Sequence, residues 1–165
     1  MSHASEASAL VVSLAAALRE RGQRMATAES CTGGLIAGAC TDISGSSDWF
    51  DRGFVTYSNL AKTEMLGVPT ELLDRHGAVS AEVASAMASG AQQRAGVAHA
   101  LAVTGVAGPT GGSEAKPVGT VWIAWATPSG TSAEVHRFPG DRRAVREATV
   151  VAALKGMLTR ITSGT

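Results

Sequence analysis

The segment RMATAESCTGG, residues 24–34, joins a short apolar strand to a glycine-rich turn. Arg24–Ala28 is predicted to be the strand, Glu29–Thr32 is predicted to be a sharp turn, and Gly33–Thr41 is small and apolar enough for a closely packed helix. A strand that leads directly into a helix is typical of α/β folds, in which helices cover a sheet. We therefore expect an α/β architecture.

Helical and strand patterns alternate along the rest of the chain. A helix is predicted at Ala9–Leu18, because Leu10, Leu14 and Leu18 fall on one face. The later patterns predict a strand at Phe54–Tyr57, helices at Asn59–Leu66, from Pro69 to near Gly77 and from Ser80 to about Arg94, a strand at Ala98–Thr104, a hairpin of Thr120–Thr127 and Ser132–Phe138, and a last helix opened by Gly140 and Asp141. Together they predict a three-layer α/β/α sandwich around a mixed β-sheet. The length fits a single domain over residues 1–165, with its core at about 9–160.

The composition favours a globular protein with neither a nucleic-acid nor a membrane partner. Of 165 residues, 45% are hydrophobic and only 4% aromatic, and the richness in alanine and valine predicts close packing of helices on the sheet. The 14 basic and 14 acidic side chains balance, whereas nucleic-acid binders normally carry a basic excess. The sequence has no signal-peptide layout, no apolar run of about 18 residues and no CxxC spacing. We expect a cytoplasmic protein.

The histidines are scattered and form no cluster with the cysteines. They lack the spacings that zinc sites use, and the chain has neither a Walker A loop nor a GxGxxG turn. We therefore expect no metal and no bound cofactor.

The turn at residues 29–34 is the first candidate site. A hydroxyl or thiol on such a turn is exposed beside free backbone N–H groups, which suit either a nucleophile with an oxyanion hole or an anion cradle. Ser30 and Cys31 compete for the nucleophile's role. The candidates for substrate binding in this turn are Cys31, Thr32, Gly33 and Gly34. The alternative is a helix-capping hydroxyl followed by glycines that serve packing.

Three further groups of residues can carry chemistry. Tyr57 and Lys62 can share a cleft, with Asn59 between them as a candidate for substrate binding. A lysine acts as a base only when burial or a cationic neighbour lowers its pKa, and the alternative is a surface lysine beside a tyrosine at the edge of the sheet. Thr104, Gly105 and Gly108 lie in a loop suited to wrapping ribose or phosphate, or to a purely structural turn. Arg142 and Arg146 are four residues apart, so they can clamp a phosphate or form a solvated basic face.

Taken together, these segments resemble the CinA C-terminal domain family, whose stand-alone PncC-type members are nicotinamide-nucleotide amidases. The motifs TAESCTGG at 27–34, GFVTYSN at 53–59, TGVAGP at 104–109, KPVGTV at 116–121 and PGDR at 139–142 occur in family order. The resemblance covers the chain from about Leu10 to Leu158.

The resemblance implies hydrolysis of nicotinamide mononucleotide, in pyridine-nucleotide salvage and without a metal. The family's serine nucleophile falls on Ser30, and its tyrosine and lysine partners fall on Tyr57 and Lys62. The rivals are a non-catalytic nucleotide-binding module related to competence or DNA damage, and an amidase for another nucleotide-linked amide. A homo-oligomer is also compatible with the sequence, because the tryptophans can supply interface area, although core packing is their commoner use.

Overall fold

A computed structural model describes residues 1–164 as one five-stranded sheet between two layers of helices. In chain order the elements are α1 (His3–Arg21), β1 (Met25–Glu29), α2 (Leu35–Thr41), a 3₁₀ turn (Ser46–Asp48), β2 (Phe50–Val55), α3 (Asn59–Leu66), α4 (Thr70–His76), α5 (Ala81–Ala95), β3 (His99–Gly105), β4 (Thr120–Thr127), β5 (Gly130–Arg137) and α6 (Arg142–Thr162). The strand order is β2-β1-β3-β4-β5. Strand β1 runs parallel to β2 and β3, whereas β4 runs antiparallel to β3 and β5. The predicted three-layer sandwich with a mixed sheet is confirmed.

One face of the sheet is lined by alanine. Because side chains alternate between faces along a strand, the register places Ala26, Ala100 and Ala126 in one row across β1, β3 and β4. A second row two residues further on is formed by Ala28, Ala102 and Ala124. These alanine rows pack against α5, together with parts of α3 and α4. Small side chains on the sheet allow α5 to lie close to it, as the composition predicts.

Larger side chains cover the other face, which packs against α1, α2 and α6. Leu101, Val103, Ile123 and Trp125 point to this side, and Trp125 donates a hydrogen bond of 2.9 Å to the carbonyl of Ala153 on α6. Trp49 is also fully buried in this core. Both tryptophans therefore serve packing.

Several element boundaries differ from the predicted ones. Strand β2 begins four residues early and ends at Val55, because it pairs in parallel with β1 as far as Glu29. Tyr57 therefore lies beyond the sheet. Helix α2 starts only at Leu35, since Gly33 and Gly34 have φ values of +58° and +107°, which a right-handed helix cannot use.

The ends of two other elements differ from the predicted ones because of a helix-capping residue and of strand pairing. Helix α1 extends from His3 to Arg21 rather than over Ala9–Leu18, because Ser2 accepts a hydrogen bond from the Ser5 amide and caps it. In the hairpin, β5 begins at Gly130 instead of Ser132, because Gly130 already pairs with Thr127. Within residues 1–164, no helix combines the length and apolarity that crossing a bilayer requires.

The topology creates a crevice at the carboxyl ends of β1 and β3. The connection from β1 runs through α2 on one face to β2, whereas α5 leads into β3 from the opposite face. Adjacent parallel strands whose connections diverge in this way leave a gap outside their carboxyl ends, and ligands commonly bind there. Ser30 follows β1 directly, and Thr104 and Gly105 end β3.

Candidate active site

A buried lysine contacts the serine at the end of β1. Lys62 Nζ on α3 lies 3.1 Å from Ser30 Oγ. It also donates to the main-chain carbonyl oxygens of Thr56 and Tyr57, at 2.9 and 3.3 Å. The Lys62 side chain comes from the first turn of a helix capped by the Ser58 hydroxyl, which fixes its entry into the crevice. The sequence-predicted pair of Ser30 and Lys62 is thus in direct contact.

The surroundings of Lys62 favour its neutral form. The residue is only 1% exposed, and no carboxylate within residues 1–164 forms an ion pair with it. Burial lowers the pKa of Lys62 below its ordinary value, because an ammonium group loses its hydration without gaining an opposite charge. A lowered pKa increases the neutral fraction of the lysine, and the neutral amine is the form that can accept a proton.

The turn that follows Ser30 is held by a buried carboxylate. Glu29, 1% exposed, accepts a hydrogen bond of 2.5 Å from Thr32 Oγ1. Its two oxygens also accept the amides of Ile36 and Ala37, each at 2.9 Å. Glu29 is predicted to lie in the turn, and the sequence patterns assign no role to it. Its position in the sequence, directly after the predicted apolar strand and shortly before a predicted helix, was the signal that could have indicated this capping role.

Cys31 does not have the properties of a nucleophile. The residue is 6% exposed and belongs to the apolar core beneath α6. Burial raises the pKa of its thiol to about 11, against smaller opposing effects of its own amide, Arg146 and Lys62. Because the thiolate is the reactive form of cysteine, this thiol is poorly reactive near neutral pH.

Around Ser30 lies a cavity of about 240 Å³. Three lining residues were not among the predicted site residues: Ala78, Val79 and Ala107. The other lining residues are all predicted site residues, namely Ser30, Cys31, Tyr57, Asn59, Lys62, Thr104, Gly105 and Arg142. Thr104 Oγ1 donates to the carbonyl of Ala78 at 3.0 Å and so ties β3 to the segment before α5. The phenol of Tyr57 is turned outward, since the residue is 62% exposed.

The two predicted arginines face different groups. Arg142 donates to the carbonyl of Gly108 at 2.8 Å and to the Tyr57 hydroxyl at 3.1 Å, so it lies at the mouth of the cavity. Arg146 donates instead to the carbonyls of Cys31 and Thr32. The lining of the Ser30 cavity includes Arg142 but not Arg146. Four other predicted site residues also lie outside this lining, namely Thr32, Gly33, Gly34 and Gly108.

A second cavity adjoins the first at Arg142. It measures about 470 Å³ and shares Ala107 and Arg142 with the Ser30 cavity. Its other lining residues are Pro109, Val118, Gly140, Asp141 and Arg143. The four histidines line neither cavity. Nowhere in residues 1–164 do three or more histidine, cysteine, aspartate or glutamate side chains form a group that could hold a metal ion.

Comparison with known proteins identifies the family of this chain. The CinA C-terminal domain matches residues 7–161. A nicotinamide-nucleotide amidohydrolase PncC from Pseudomonas putida is 57% identical over 141 residues, which are 86% of this chain and 88% of that protein. A longer CinA-like protein from Syntrophobacter fumaroxidans is 59% identical over 137 residues, 83% of this chain but 32% of that protein.

The fold has a solved counterpart of nearly the same extent. The crystal structure of the competence/damage inducible protein CihA from Agrobacterium tumefaciens superposes with a TM-score of 0.91 at 46% identity, covering 95% of this chain and 96% of that one. Sequence, fold and the order of the site motifs lead to one conclusion: the chain belongs to the CinA C-terminal domain family.

Proposed function

We propose that this chain is a nicotinamide-nucleotide amidase that hydrolyses nicotinamide mononucleotide to nicotinate mononucleotide and ammonia. The name of the Pseudomonas putida relative supports the substrate class. The observation that carries the chemistry is the 3.1 Å contact between Lys62 Nζ and Ser30 Oγ. Among residues 1–164 no carboxylate forms an ion pair with this lysine. Ser30 is the nucleophile and Lys62 is its base.

The hydrogen bonds of Lys62 determine the direction of proton transfer. A neutral amine has two N–H donors and one lone pair. The carbonyls of Thr56 and Tyr57 take the two donors, so the lone pair is directed at Ser30 Oγ. Ser30 therefore donates its proton to Lys62 as its oxygen attacks the amide carbon.

The remaining steps use groups already beside Ser30. The amide of Cys31, a residue that lines the Ser30 cavity, stabilises the oxyanion, since no oxygen among residues 1–164 accepts a hydrogen bond from this amide. The Lys62 ammonium returns its proton to the leaving nitrogen, and ammonia departs from an acyl-enzyme. Water, deprotonated by Lys62, then attacks the ester carbon. The bond between the acyl carbon and Ser30 Oγ breaks, Lys62 returns the proton to Ser30 Oγ, and the carboxylate leaves.

Tyr57 assists in two places. Its carbonyl holds Lys62, and its hydroxyl receives a hydrogen bond from Arg142 at the cavity mouth. The Ser30 cavity of about 240 Å³ is smaller than the roughly 300–1,000 Å³ of typical ligand pockets. It accommodates the pyridine ring and carboxamide, while ribose and phosphate extend past Arg142 towards the adjoining cavity.

The first experiment measures ammonia release from nicotinamide mononucleotide, with a chelator present, by wild type, Ser30→Ala and the control Ser47→Ala. Ser47 is exposed at the opposite end of the sheet. We expect release by wild type and Ser47→Ala and none by Ser30→Ala. If folded wild type released no ammonia, the proposed function would be wrong. The protein would then be a non-catalytic nucleotide-binding module or an amidase for another amide substrate.

The proposed contact between Arg142 and the substrate phosphate is tested by comparing nicotinamide mononucleotide with nicotinamide riboside, which lacks the phosphate. Arg142→Ala should raise KM for the nucleotide and leave the riboside unaffected, because remote binding energy is lost only where the phosphate exists. Equal effects on both substrates would contradict a phosphate contact by Arg142.

A role in nucleotide salvage, a cytoplasmic location and a homo-oligomer stay predictions.

A further inference from the structure

Thr104 lies beside Ser30 at the carboxyl ends of β3 and β1. The parallel register pairs Glu29 with Val103, and the Ser30 amide continues this ladder by donating to the carbonyl of Val103 at 3.1 Å. Ser30 and Thr104 are therefore the next pair across the two strands, whose backbones lie about 4.8 Å apart. Both residues line the cavity in which Lys62 contacts Ser30 Oγ. The Thr104 side chain thus borders the place where Ser30 Oγ attacks the substrate.

The hydrogen of the Thr104 hydroxyl is already committed. Oγ1 lies 3.0 Å from the carbonyl oxygen of Ala78. A carbonyl oxygen can only accept a hydrogen bond, so the hydroxyl is the donor in this contact. Thr104 is 1% exposed, and within residues 1–164 no group donates a hydrogen bond to its Oγ1. Towards the cavity Thr104 therefore offers only the lone pairs of its oxygen.

A group that offers only lone pairs distinguishes a carboxamide from a carboxylate. The nitrogen of a carboxamide carries two N–H donors, whereas an ionised carboxylate has acceptors alone. One N–H of a carboxamide in the cavity can donate to Thr104 Oγ1. A carboxylate oxygen in the same place would meet a lone pair and would lose the hydrogen bonds that it makes with water, which costs free energy.

We propose that Thr104 is the residue that selects the carboxamide substrate over the carboxylate product. Its hydroxyl accepts one N–H of the substrate amide and disfavours the carboxylate that hydrolysis leaves behind. This inference rests on the proposed function. Because the amide nitrogen is held through an N–H, its lone pair stays available for the proton that Lys62 returns once the carbonyl carbon is tetrahedral. Thr104 thus positions the leaving nitrogen and favours release of the product.

The test measures ligand binding by isothermal titration calorimetry to the Ser30→Ala protein, which does not consume the substrate. The ligands are nicotinamide mononucleotide, nicotinate mononucleotide and the methyl-ketone analogue of the nucleotide, in which a methyl group replaces the amide NH2. Because all three share the pyridine ring, the ribose and the phosphate, the ratios of their Kd values isolate the reacting group. We expect the carboxamide to bind about 10- to 100-fold more tightly than either other ligand, since both leave the Thr104 oxygen without a donor.

Variants in the same Ser30→Ala background assign this preference to one hydroxyl. Thr104→Val removes the hydroxyl at a similar volume and should remove most of the preference, whereas Thr104→Ser keeps the hydroxyl and should keep the preference. The matched control is Thr120→Val. Thr120 is equally buried and its hydroxyl also donates to a main-chain carbonyl, that of Pro117, but Thr120 does not line the cavity. Its Kd ratios should equal those of the parent protein.

Equal affinities of the parent protein for the amide and the acid would overturn the inference, as would a preference that survives Thr104→Val unchanged. Should Thr104→Val fail to fold, the methyl ketone decides the question with Thr104 in place. Equal binding of the ketone and the amide would then show that no acceptor receives the N–H. Wild type that releases no ammonia from nicotinamide mononucleotide would instead refute the proposed function, whatever the Kd ratios are.

Discussion

Replacing Lys62 by methionine should remove a pH-dependent destabilisation of the folded protein. Burial lowers the pKa of Lys62, whereas a lysine in the unfolded chain titrates near 10.4. Between these two pKa values the unfolded chain binds one more proton at this site than the folded protein does. The free energy of unfolding therefore rises with pH across this window, by about 1.4 kcal/mol per pH unit. Below the lowered pKa the dependence disappears, because both states are protonated.

The size of the effect is measurable by thermal unfolding. For a chain of 165 residues, 1 kcal/mol corresponds to roughly 2–4 °C in Tm, so each pH unit is worth roughly 3–6 °C. The cysteines act in the opposite direction, since burial raises the pKa of Cys31 to about 11 and of Cys40 to about 12. Their effect on stability develops only as the pH rises past the ordinary value of 9.0, where the unfolded thiols ionise first. Because both cysteines remain in Lys62→Met, the difference between the two proteins isolates the lysine.

The assay follows Tm by circular dichroism at intervals from about pH 6 to about pH 9.5, for wild type, Lys62→Met and the exposed control Lys155→Met. Losing the hydrogen bonds to Thr56 and Tyr57 shifts the Tm of Lys62→Met by an amount that does not vary with pH. We expect wild type and Lys155→Met to gain stability with pH relative to Lys62→Met. Parallel curves for all three proteins would show that Lys62 keeps its proton in the folded state, and the argument for a neutral base would fail.

Three further predictions concern the turn and the packing. Cys31→Ala should retain most of the amidase activity in an ammonia assay, because the thiol is protonated near neutral pH; loss of activity to the level of Ser30→Ala would contradict this. Glu29→Gln should lower the free energy of unfolding in urea by about 1–3 kcal/mol, since an amide cannot accept on both sides, and a stability equal to wild type would refute the grip on α2. Gly90→Ala should destabilise by about 1–3 kcal/mol, because its Cβ would lie 2.1 Å from the Leu66 carbonyl oxygen. Gly38→Ala, with nothing within 4 Å, should instead stabilise α2 by about 0.5–1 kcal/mol, and the same sign for both glycines would contradict the packing argument.

The layered fold could be predicted from the sequence because each element carries its own local pattern. Ser80 and Asp141, for example, cap α5 and α6 close to the predicted starts. The ends of β2 could not be predicted, because they depend on parallel pairing with β1, a contact between distant segments.

The candidate site was predicted unevenly for a related reason. Motif order indicated that Ser30 and Lys62 belong together, but only the fold places them in contact and buries the lysine. Spacing on a helix suggested that Arg142 and Arg146 share a target. Their long side chains instead reach different carbonyls, and which carbonyls lie within reach is set by the turns at both strand ends.

The two alanine rows have a consequence for how this enzyme family can change its substrates. The distance between α5 and the sheet is set by the alanine methyl groups, so a larger side chain in these rows would move α5 away from the sheet. Ala78 and Val79, which precede α5, form a wall of the Ser30 cavity. A substitution in these alanine rows is therefore expected to change the volume of the Ser30 cavity without replacing any residue of its lining.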